Sequence, residues 1–443
     1  MTSIHETAYP RFKPDLTQRE LDEIYTPNET EQRFARRVGR GNASRLYLMI
    51  LLKTVQRLGY FPMLAEVPAS IVSFVTKALG VNSVPLRMLV EEEKSRARRD
   101  FIDAIRAHLK IQPITKDTDK VIELAATQAA QTKQELADII NVVIEELIRQ
   151  RYELPAFSRL NRTAFRIRNL VNEQYFHTLT DPLPTAVTSQ FDAMLTLSAG
   201  QLVTGWQQIK QDPKKPTNTE VRQYLERVKW LKSWACELPQ VDHIPVVKRG
   251  QYVYEARALD AADLKAMQQN KRYALMVLLF HAQLSKALDD AVDIFVRKMR
   301  KLHSGAVEQL QLYYQEHQKR AEKLVSQLRD VLEAFQESET DQERGKRIAN
   351  AMHDNPENLL AECEEHMAYA GNNYLPFMLV PYQTQRPLLL NCLGLLDLES
   401  TSADLSLIES IRFVLANRQS HKEWLSIVDT NINLKWLPEK WRR

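Results

Sequence analysis

Apolar side chains recur every three or four positions along most of the chain, which is the spacing of helices that bury one face. The clearest example is a run of nine positions whose successive separations are 3, 4, 3, 4, 3, 4, 3 and 4 residues. This heptad spacing predicts a coiled-coil seam, either inside the chain, which we favour, or between two copies. Its members are Val307, Leu310, Tyr314, His317, Ala321, Leu324, Leu328, Val331 and Phe335.

Short turns divide the helical pattern in the first half of the chain. The segments Thr17-Gln-Arg-Glu20 and Thr26-Pro-Asn-Glu29 each place a hydroxyl three residues before a glutamate, an arrangement that caps a helix start. The second also carries a proline suited to the first helical position, so we predict a helix over 27–38 that ends at Gly39. Further helices are predicted over 43–58, 68–79, 86–109, 119–150, 159–175 and 220–236.

Two segments predict a reversal of chain direction. Val246–Tyr254, with Gly250 at its centre, is the best β-hairpin candidate. Residues 263–336 are rich in helix formers, and Ser304-Gly305 separates the heptad seam from an earlier stripe of similar spacing. We therefore predict a long helical hairpin there. The earlier stripe consists of Leu288, Val292, Phe295, Met299 and Leu302.

Composition agrees with helix nearly throughout. The chain has 443 residues, enough for about three domains of ordinary size, and only 11 glycines. We predict an all-α, multidomain fold with at most one small β-hairpin and a linker at Lys210–Pro216, which contains two prolines. The predicted domains are two helical domains over 1–116 and 117–209, a connecting helix and hairpin over 217–262, a long helical hairpin over 263–340 and a helical scaffold over 341–443.

Charge is distributed unevenly along the chain. Residues 1–32 carry 3 basic and 7 acidic side chains, whereas residues 33–110 carry 15 basic and 6 acidic ones. A second basic block, residues 149–172, has 6 against 1, although the whole chain has a net charge of only +4. Such segregation indicates two surfaces suited to a polyanion.

Arginine outnumbers lysine in both basic blocks, and guanidinium groups suit bidentate contacts with phosphate or guanine. The predicted helices over 43–109, with a basic last member, resemble a helix-turn-helix module, and the basic helix over 159–175 repeats the design. The sequence therefore predicts two DNA-binding units in tandem. The candidate DNA-contacting residues are Arg33, Arg36, Arg37, Arg40, Lys94, Arg96, Arg98, Arg99, Arg106, Arg159, Arg162, Arg166 and Arg168.

Motifs that would indicate catalysis are weaker than the basic pattern that indicates DNA binding. Asp289, Asp290 and Asp293 form an aspartate-rich segment of the kind that holds magnesium diphosphate in all-α terpenoid-type synthases, but no second magnesium motif accompanies it. Cys363 and His366 lack the partner pair that a metal site needs. The sequence contains no Walker loop, dinucleotide fingerprint or nucleophile elbow. We therefore predict no catalytic residue and no metal ligand in this chain.

The remaining features indicate a cytoplasmic protein. The first residues lack the basic-then-apolar order of a signal peptide, and the apolar runs are too short to span a bilayer. Three widely spaced cysteines, Cys236, Cys363 and Cys392, do not form a disulfide pattern, so we expect reduced thiols. No membrane partner is expected.

Six segments, in order along essentially the whole chain, carry a resemblance to a known family. They are LGYFP at 58–62, ELPAFS at 153–158, RYALM at 272–276, LDDAVDIF at 288–295, the run 388–397 and WLPEKWR at 436–442. Each one is short, but their order and spacing are specific together. They resemble the amino-terminal half of the Tn-three family of replicative transposases.

This resemblance implies helical domains that recognise the terminal inverted repeats of a transposon, followed by dimerisation and scaffold regions. The family's RNase H-like domain, with its catalytic Asp, Asp and Glu and its Mg²⁺ ions, lies beyond the WLPEKWRR segment. We therefore expect the end at Arg443 to be a cut, which leaves open an expressed fragment, a truncated gene or one half of a split gene. The implied function is binding of inverted repeats and assembly of the transposition complex, without strand-transfer chemistry or a cofactor in this chain.

The implied partner is double-stranded DNA, with a second copy of the chain and a separate catalytic half left open as further partners, and the implied location is the cytoplasm in association with the nucleoid. The first alternative from the residues alone is a helical scaffold that binds protein partners through the heptad seam and uses its arginines mainly for solubility. A remote alternative is a magnesium-dependent, all-α terpenoid-type synthase that uses the segment 289–293.

Overall fold

The computed structural model describes residues 2–81, 84–197, 200, 202–212, 217–337, 340–352, 356–420, 422, 425–427, 430 and 432–436. Regular structure in these residues is helical, without a strand, which confirms the all-α prediction. The chain divides into two compact units, one of residues 1–206 with 239–279 and the other of 207–238 with 280–443. The division into five domains remains a prediction, and part of the predicted linker, residues 213–216, lies outside the described residues.

The described residues contain nineteen α-helices and three short 3₁₀ segments. The helices are α1 (Gln18–Tyr25), α2 (Glu29–Val38), α3 (Asn42–Leu58), α4 (Ala69–Ala78), α5 (Leu86–Lys94), α6 (Ala97–Leu109), α7 (Lys116–Thr132), α8 (Leu136–Arg149), α9 (Phe157–Thr180), α10 (Thr185–Met194), α11 (Gly205–Ile209), α12 (Asn218–Ala235), α13 (Val246–Ala258), α14 (Ala261–Ala266), α15 (Gln269–Gln336), α16 (Asp341–Ala351), α17 (Pro356–Ala368), α18 (Leu375–Leu395) and α19 (Ser406–Ala416). The 3₁₀ segments are Ile4–Glu6, Leu64–Glu66 and Ala370–Asn372.

The first hydrophobic core of unit one is built around α3. Every residue from Leu46 to Val55 is buried, so this helix has no solvent face along ten consecutive positions. A helix enclosed on all sides needs neighbours on all sides. Apolar residues of α1, α2, α4, α5 and α6 supply them, and the six helices form one bundle.

The capping pattern is confirmed at one helix start and wrong at the next. Thr17 and Glu20 form the predicted reciprocal cap of α1. The cap of α2 is Asn28 with Glu31, two residues later than predicted, and α2 therefore begins at Glu29. Glu31 is fixed at this position because its carboxylate also contacts the buried Lys53 of α3, with 3.2 Å between Nζ and Oε2.

The single helix predicted over 86–109 is wrong, because the chain breaks at Ser95 into α5 and α6. Ser95 adopts an extended backbone, and its Oγ accepts a hydrogen bond from Ala97 N at 3.2 Å. Serine favours such a local bond over continuing a helix. The break lets Arg98 fold back onto Glu93, where Nη1 and Oε1 are 3.0 Å apart.

A second core in the same unit joins α7, α8 and α9. The helix predicted over 119–150 is two helices, because Lys133 and Glu135 take extended backbone conformations between α7 and α8. The reversal lets the apolar faces of both helices bury against α9. Small side chains, Ala125, Ala126, Ala129 and Ala130, line the buried face of α7 and allow close packing.

The β-hairpin predicted over Val246–Tyr254 is wrong, because the segment is the start of α13. Its buried residues, Lys248, Tyr252 and Ala256, follow a spacing of four, which is helical and not strand-like. A Cβ on Gly250 would meet no atom within 4 Å, so this glycine marks no turn or close contact. Burial of Lys248 against the second core of the unit selects the helix.

The helical hairpin predicted at Ser304-Gly305 is also wrong, because α15 runs through these residues as one helix of 68 residues. Ser304 Oγ donates to the carbonyl of Lys301 within the helix at 3.2 Å. A helix-interior glycine costs only about 1 kcal/mol, too little to break so long a helix. In unit two, α15 contacts α12 through stacked Trp234 and Phe280 rings whose centroids are 5.0 Å apart.

The heptad seam of α15 is partly buried within the chain. Leu310 is buried, and Tyr314, His317, Ala321, Leu324 and Val331 are half-buried, whereas Val307, Leu328 and Phe335 are exposed. The buried side also includes Ala306 and Gln327, one position before the predicted seam in each case. A second copy of the chain that covers the exposed positions remains a prediction.

Candidate nucleic-acid interface

Two basic turns of the first bundle meet at the amino-terminal end of α3. The first turn of α3, directly after the turn that follows α2, is joined to the end of α5 by a hydrogen bond from Ser44 Oγ to Glu92 Oε1 at 2.6 Å. The start of α6 is joined to the same region because Arg98 Nη1 donates to Tyr47 OH at 2.9 Å. Each turn and the helix ends beside it carry several basic residues, so they bring basic side chains to one end of the bundle.

We name this region the arginine end. It is defined by six exposed residues that the sequence pattern had singled out, three from the end of α2 and the turn after it, and three from the end of α5, the next turn and the start of α6. They are Arg36, Arg37, Arg40, Lys94, Arg96 and Arg99.

The charges of the arginine end are available for a ligand. Within the described part of the chain, none of the six side chains forms an ion pair, and only Arg37 has a ring partner, Phe34, 5.9 Å from its guanidinium carbon. Arg33, one turn away, is exposed and has only a loose partner in Glu29, with 3.8 Å between Nη2 and Oε2. Three carboxylates of α5 and α6, those of Glu91, Glu92 and Asp100, offset part of this charge, and the six cations leave the region with an excess of positive charge.

Arg98 and Arg106 of the predicted set serve the fold. Arg98 is 18% exposed and contacts Glu93 and Tyr47. Burial raises the pKa of Tyr47 to about 12, so the hydroxyl group of Tyr47 stays neutral. Arg106 Nη2 lies 2.7 Å from Oε2 of the buried Glu153. A guanidinium that compensates a buried carboxylate is held by it. These two residues are therefore committed to interactions inside unit one.

The basic residues of α9 fall on two faces. Arg159 and Arg166 pair with Asp119 and Glu123 of α7, and Arg162 between them is exposed without an ion pair to any described residue. These pairs are partly exposed, so they are weak and open to competition from phosphate.

Arg168, two residues past Arg166, lies on the opposite side of α9. It is half-buried, and its guanidinium carbon lies 5.3 Å from the centroid of the Phe165 ring. Of the four candidate residues on α9, only Arg162 is thus exposed and without an ion pair to a described residue.

The sequence pattern missed Arg45, which the fold brings to the same end of α3. Its Nε donates to the carbonyl of Gly39 at 3.2 Å, and a Cβ at Gly39 would lie 2.9 Å from Arg45 Cγ. Glycine is needed there so that Arg45 can lie across the turn. No spacing rule points to Arg45, because it is one basic residue in the first turn of an otherwise buried helix.

Residues of the aspartate-rich segment 289–293 contact neighbouring side chains. Tyr224 OH donates to Asp290 Oδ2 at 2.8 Å, and Asp293 lies 3.6 Å from Arg297. In the described residues no group of three or more His, Cys, Asp or Glu side chains could hold a metal ion. None of the helices described has both the length and the apolar content that crossing a membrane requires.

Comparison with known proteins gives matches to transposases. Residues 1–167 match the family described as Domain of unknown function (DUF4158). The transposase for transposon Tn501 of Pseudomonas aeruginosa is 25% identical over 315 residues, 70% of this chain and 31% of that protein. The transposase for Tn3926 of Escherichia coli is 26% identical over 307 residues, 67% of this chain and 30% of that protein.

A longer alignment reaches most of the chain. The transposase for Tn1546 of Enterococcus faecium is 19% identical over 420 residues, 91% of this chain and 41% of that protein. The chain thus spans well under half the length of each of these relatives. By these matches and by the order of its sequence segments, the chain is related to the Tn-three family of transposases.

Proposed function

We propose that this protein binds double-stranded DNA at the terminal inverted repeats of a transposon and helps to assemble the transposition complex. The observation that carries the proposal is the arginine end, where two turns and the helix ends beside them contribute six exposed cations without ion pairs among the described residues. A free guanidinium can bind phosphate bidentately or pair with the edge of guanine. The transposases with which the chain aligns are named for their action on transposons, which supports DNA as the polyanion.

The chemistry of this surface is binding without catalysis. Arginine keeps its charge over the whole physiological pH range, so binding should depend on salt and hardly on pH between 6 and 8. We propose that strand transfer, with its Mg²⁺ ions, belongs to an RNase H-like domain outside this chain, and that this chain needs no cofactor of its own. We further propose a cytoplasmic, nucleoid-associated protein.

We also propose that α9 forms a second, separate contact with phosphate through Arg159, Arg162 and Arg166. Arg162 would contact phosphate directly, and Arg159 and Arg166 would exchange their α7 carboxylates for phosphate oxygens. Because that exchange leaves two carboxylates unpaired, we expect a smaller contribution from α9 than from the arginine end.

Fluorescence anisotropy with labelled duplexes tests the proposal. The combined variant Arg36→Ala, Arg40→Ala, Arg99→Ala should bind an inverted-repeat duplex about 10- to 100-fold more weakly, since each charged contact contributes up to about 1 kcal/mol. The matched control removes three exposed cations that have ion-pair partners, Arg19, Arg149 and Lys229, and should bind like the unmodified protein.

Binding to a scrambled duplex separates sequence-specific recognition from general binding of DNA. Tighter binding to the inverted repeat than to the scrambled sequence would support specific recognition, whereas equal binding would leave a generic basic surface. Equal losses for the arginine-end variant and its control would contradict the assignment of the site.

A second candidate function, self-association, has one observation in its favour. On α15 the exposed residues Val325, Leu328, Leu332 and Phe335 follow coiled-coil spacing, and Leu328 and Leu332 are 59% and 54% exposed. Light scattering of the full chain and of a Leu328→Ser, Leu332→Ser variant tests it. A dimer that becomes a monomer in the variant would support self-association, and an unmodified protein that is monomeric at high concentration would exclude it.

A further inference from the structure

The carboxyl-terminal ends of α3, α6 and α8 meet at the junction of the two cores of unit one. Leu154 N donates to the carbonyl of Gly59 at 2.8 Å, which joins the segment after α8 to the end of α3. Gln112 N donates to the carbonyl of Arg151 at 2.8 Å, which joins the segments after α6 and α8. The backbone at this junction is therefore fixed by hydrogen bonds between the segments.

An open cleft of about 370 Å³ lies at this junction. Its walls are mainly aliphatic and come from all three helix ends and from Pro10. Ile148, on the last turn of α8, is 57% exposed beside it. The residues that matter most for its apolar character are Pro10, Leu58, Leu109, Ile111, Ile148 and Leu154.

Three cations surround this cleft. Arg57 and Arg151 line it, and Lys110 lies between two of its lining residues, Leu109 and Ile111. All three are exposed, and in the described part of the chain none of them forms an ion pair. The nearby acid Glu153 is buried and already bound to Arg106.

Two of the three cations follow directly on the carboxyl-terminal ends of helices. Lys110 and Arg151 have left-handed backbones, with φ of 56° and 58°, and both terminate helices. Cations at helix carboxyl termini offset the negative end of the helix dipole. That effect accounts for the charges, but not for an aliphatic cleft among them, so the combination indicates a ligand that is both acidic and aliphatic.

We propose that this cleft binds an acidic peptide segment of a partner protein, with one aliphatic side chain in the cleft and flanking carboxylates on Arg57 and Arg151. The aliphatic walls would bury a leucine- or isoleucine-sized side chain, which is favourable by the hydrophobic effect. The carboxylates would meet guanidinium groups that have no competing ion pair among the described residues.

Charge complementarity excludes a basic partner, and the shape disfavours a duplex. DNA presents a broad convex surface of phosphates, which gains nothing from aliphatic walls and cannot fill a cleft of this size. A peptide side chain can enter it. This proposal does not depend on the arginine end, which lies at the opposite end of α3.

Fluorescence anisotropy with the full chain tests the proposal, using an octapeptide of alternating glutamate and leucine that carries fluorescein on its amino terminus and an amide at its carboxyl terminus. We expect binding that is at least tenfold tighter than to lysine–leucine and glutamate–serine octapeptides of the same length. Arg57→Ala and Arg151→Gly should each weaken binding about threefold, the range of an exposed ion pair. Glycine at 151 preserves the left-handed backbone.

Ile148→Asp should weaken binding about tenfold or more, because it places a carboxylate in the apolar wall. Arg149→Ala is the matched control, since Arg149 is exposed, lies two residues from Arg151 and pairs with Glu146. It should bind like the unmodified protein. The arginine-end triple variant should also keep full peptide binding, which shows that the peptide is not held at the other basic surface.

Two results would overturn the proposal. One is peptide binding that is absent or unaffected by all three cleft variants, with unchanged thermal unfolding as evidence that they are folded. The other is loss of inverted-repeat duplex binding in Arg57→Ala and Arg151→Gly without any peptide binding, which would assign these cations to the DNA surface.

Discussion

At the residue scale, two buried lysines have different electrostatic environments. Lys53 of α3 and Glu31 of α2 form a buried pair, with side chains 8% and 5% exposed, and Gln56 Nε2 also donates to Glu31 Oε1 at 2.8 Å. Lys248 of α13 is fully buried with amide partners, Gln134 Oε1 at 2.7 Å and Asn172 Oδ1 at 2.8 Å.

Removal of one partner of the buried pair should destabilise unit one strongly. Lys53→Met leaves the Glu31 carboxylate buried without its cation, and we expect the free energy of unfolding in urea to fall by about 3 kcal/mol. The double variant Lys53→Met, Glu31→Gln should recover most of this loss. Lys120→Met, which breaks an exposed pair with Asp117, should change stability by less than about 0.5 kcal/mol. Equal losses of stability in Lys53→Met and Lys120→Met would show that burial of the ion pair is unimportant.

Lys248 should make stability depend on pH in the alkaline range. Burial, with Arg168 nearby, lowers the pKa of Lys248 from 10.5 to about 8. Between these values the unfolded chain binds more protons than the folded one, so the free energy of unfolding rises with pH.

The effect is best measured as a difference between the unmodified protein and Lys248→Met. From pH 8 to 9 the free energy of unfolding should rise by about 1 kcal/mol more in the unmodified protein. Below about pH 7 the lysine is protonated in both states and the difference should be flat. A flat difference over the whole range would mean that the buried amine keeps an ordinary pKa.

At the scale of elements, the sequence pattern located helices better than it located their breaks. Strong apolar periodicity predicted α3 within one residue at its start. It failed at Ser95 and at 133–135, where the chain turns so that two helices can bury their faces in one core. It also failed at Gly250 and Gly305, because neither glycine occupies a turn.

Two glycines test this distinction between helix interior and turn. Gly250→Ala should stabilise unit one by about 0.5–1 kcal/mol, because alanine favours helix and its Cβ meets no atom within 4 Å. Gly59→Ala should destabilise it by at least about 1 kcal/mol, because φ is +74° and the new Cβ would lie 3.1 Å from Leu154. Thermal unfolding of both variants checks the opposite signs. Destabilisation by Gly250→Ala would argue against the helical assignment of α13.

At the scale of the whole molecule, charge segregation has a measurable consequence. If the six residues of the arginine end each contact a phosphate, the slope of log K against log salt should be about −5, and the triple alanine variant should reduce it by about 3. Titration of duplex binding from 50 to 200 mM salt measures both slopes. An unchanged slope in the triple variant would show that binding occurs elsewhere.

The sequence by itself determined that the protein is helical, where most helices lie and which segments carry excess positive charge, because periodicity and composition are local properties of the chain. Only the tertiary structure decided which arginines remain free. Arg98 and Arg106 are held by Glu93 and Glu153, whereas Arg36, Arg40 and Arg99 meet at one end of α3 without such partners among the described residues. Ion pairing depends on distances between residues that are far apart in sequence, and those distances are fixed by the packing of the helices.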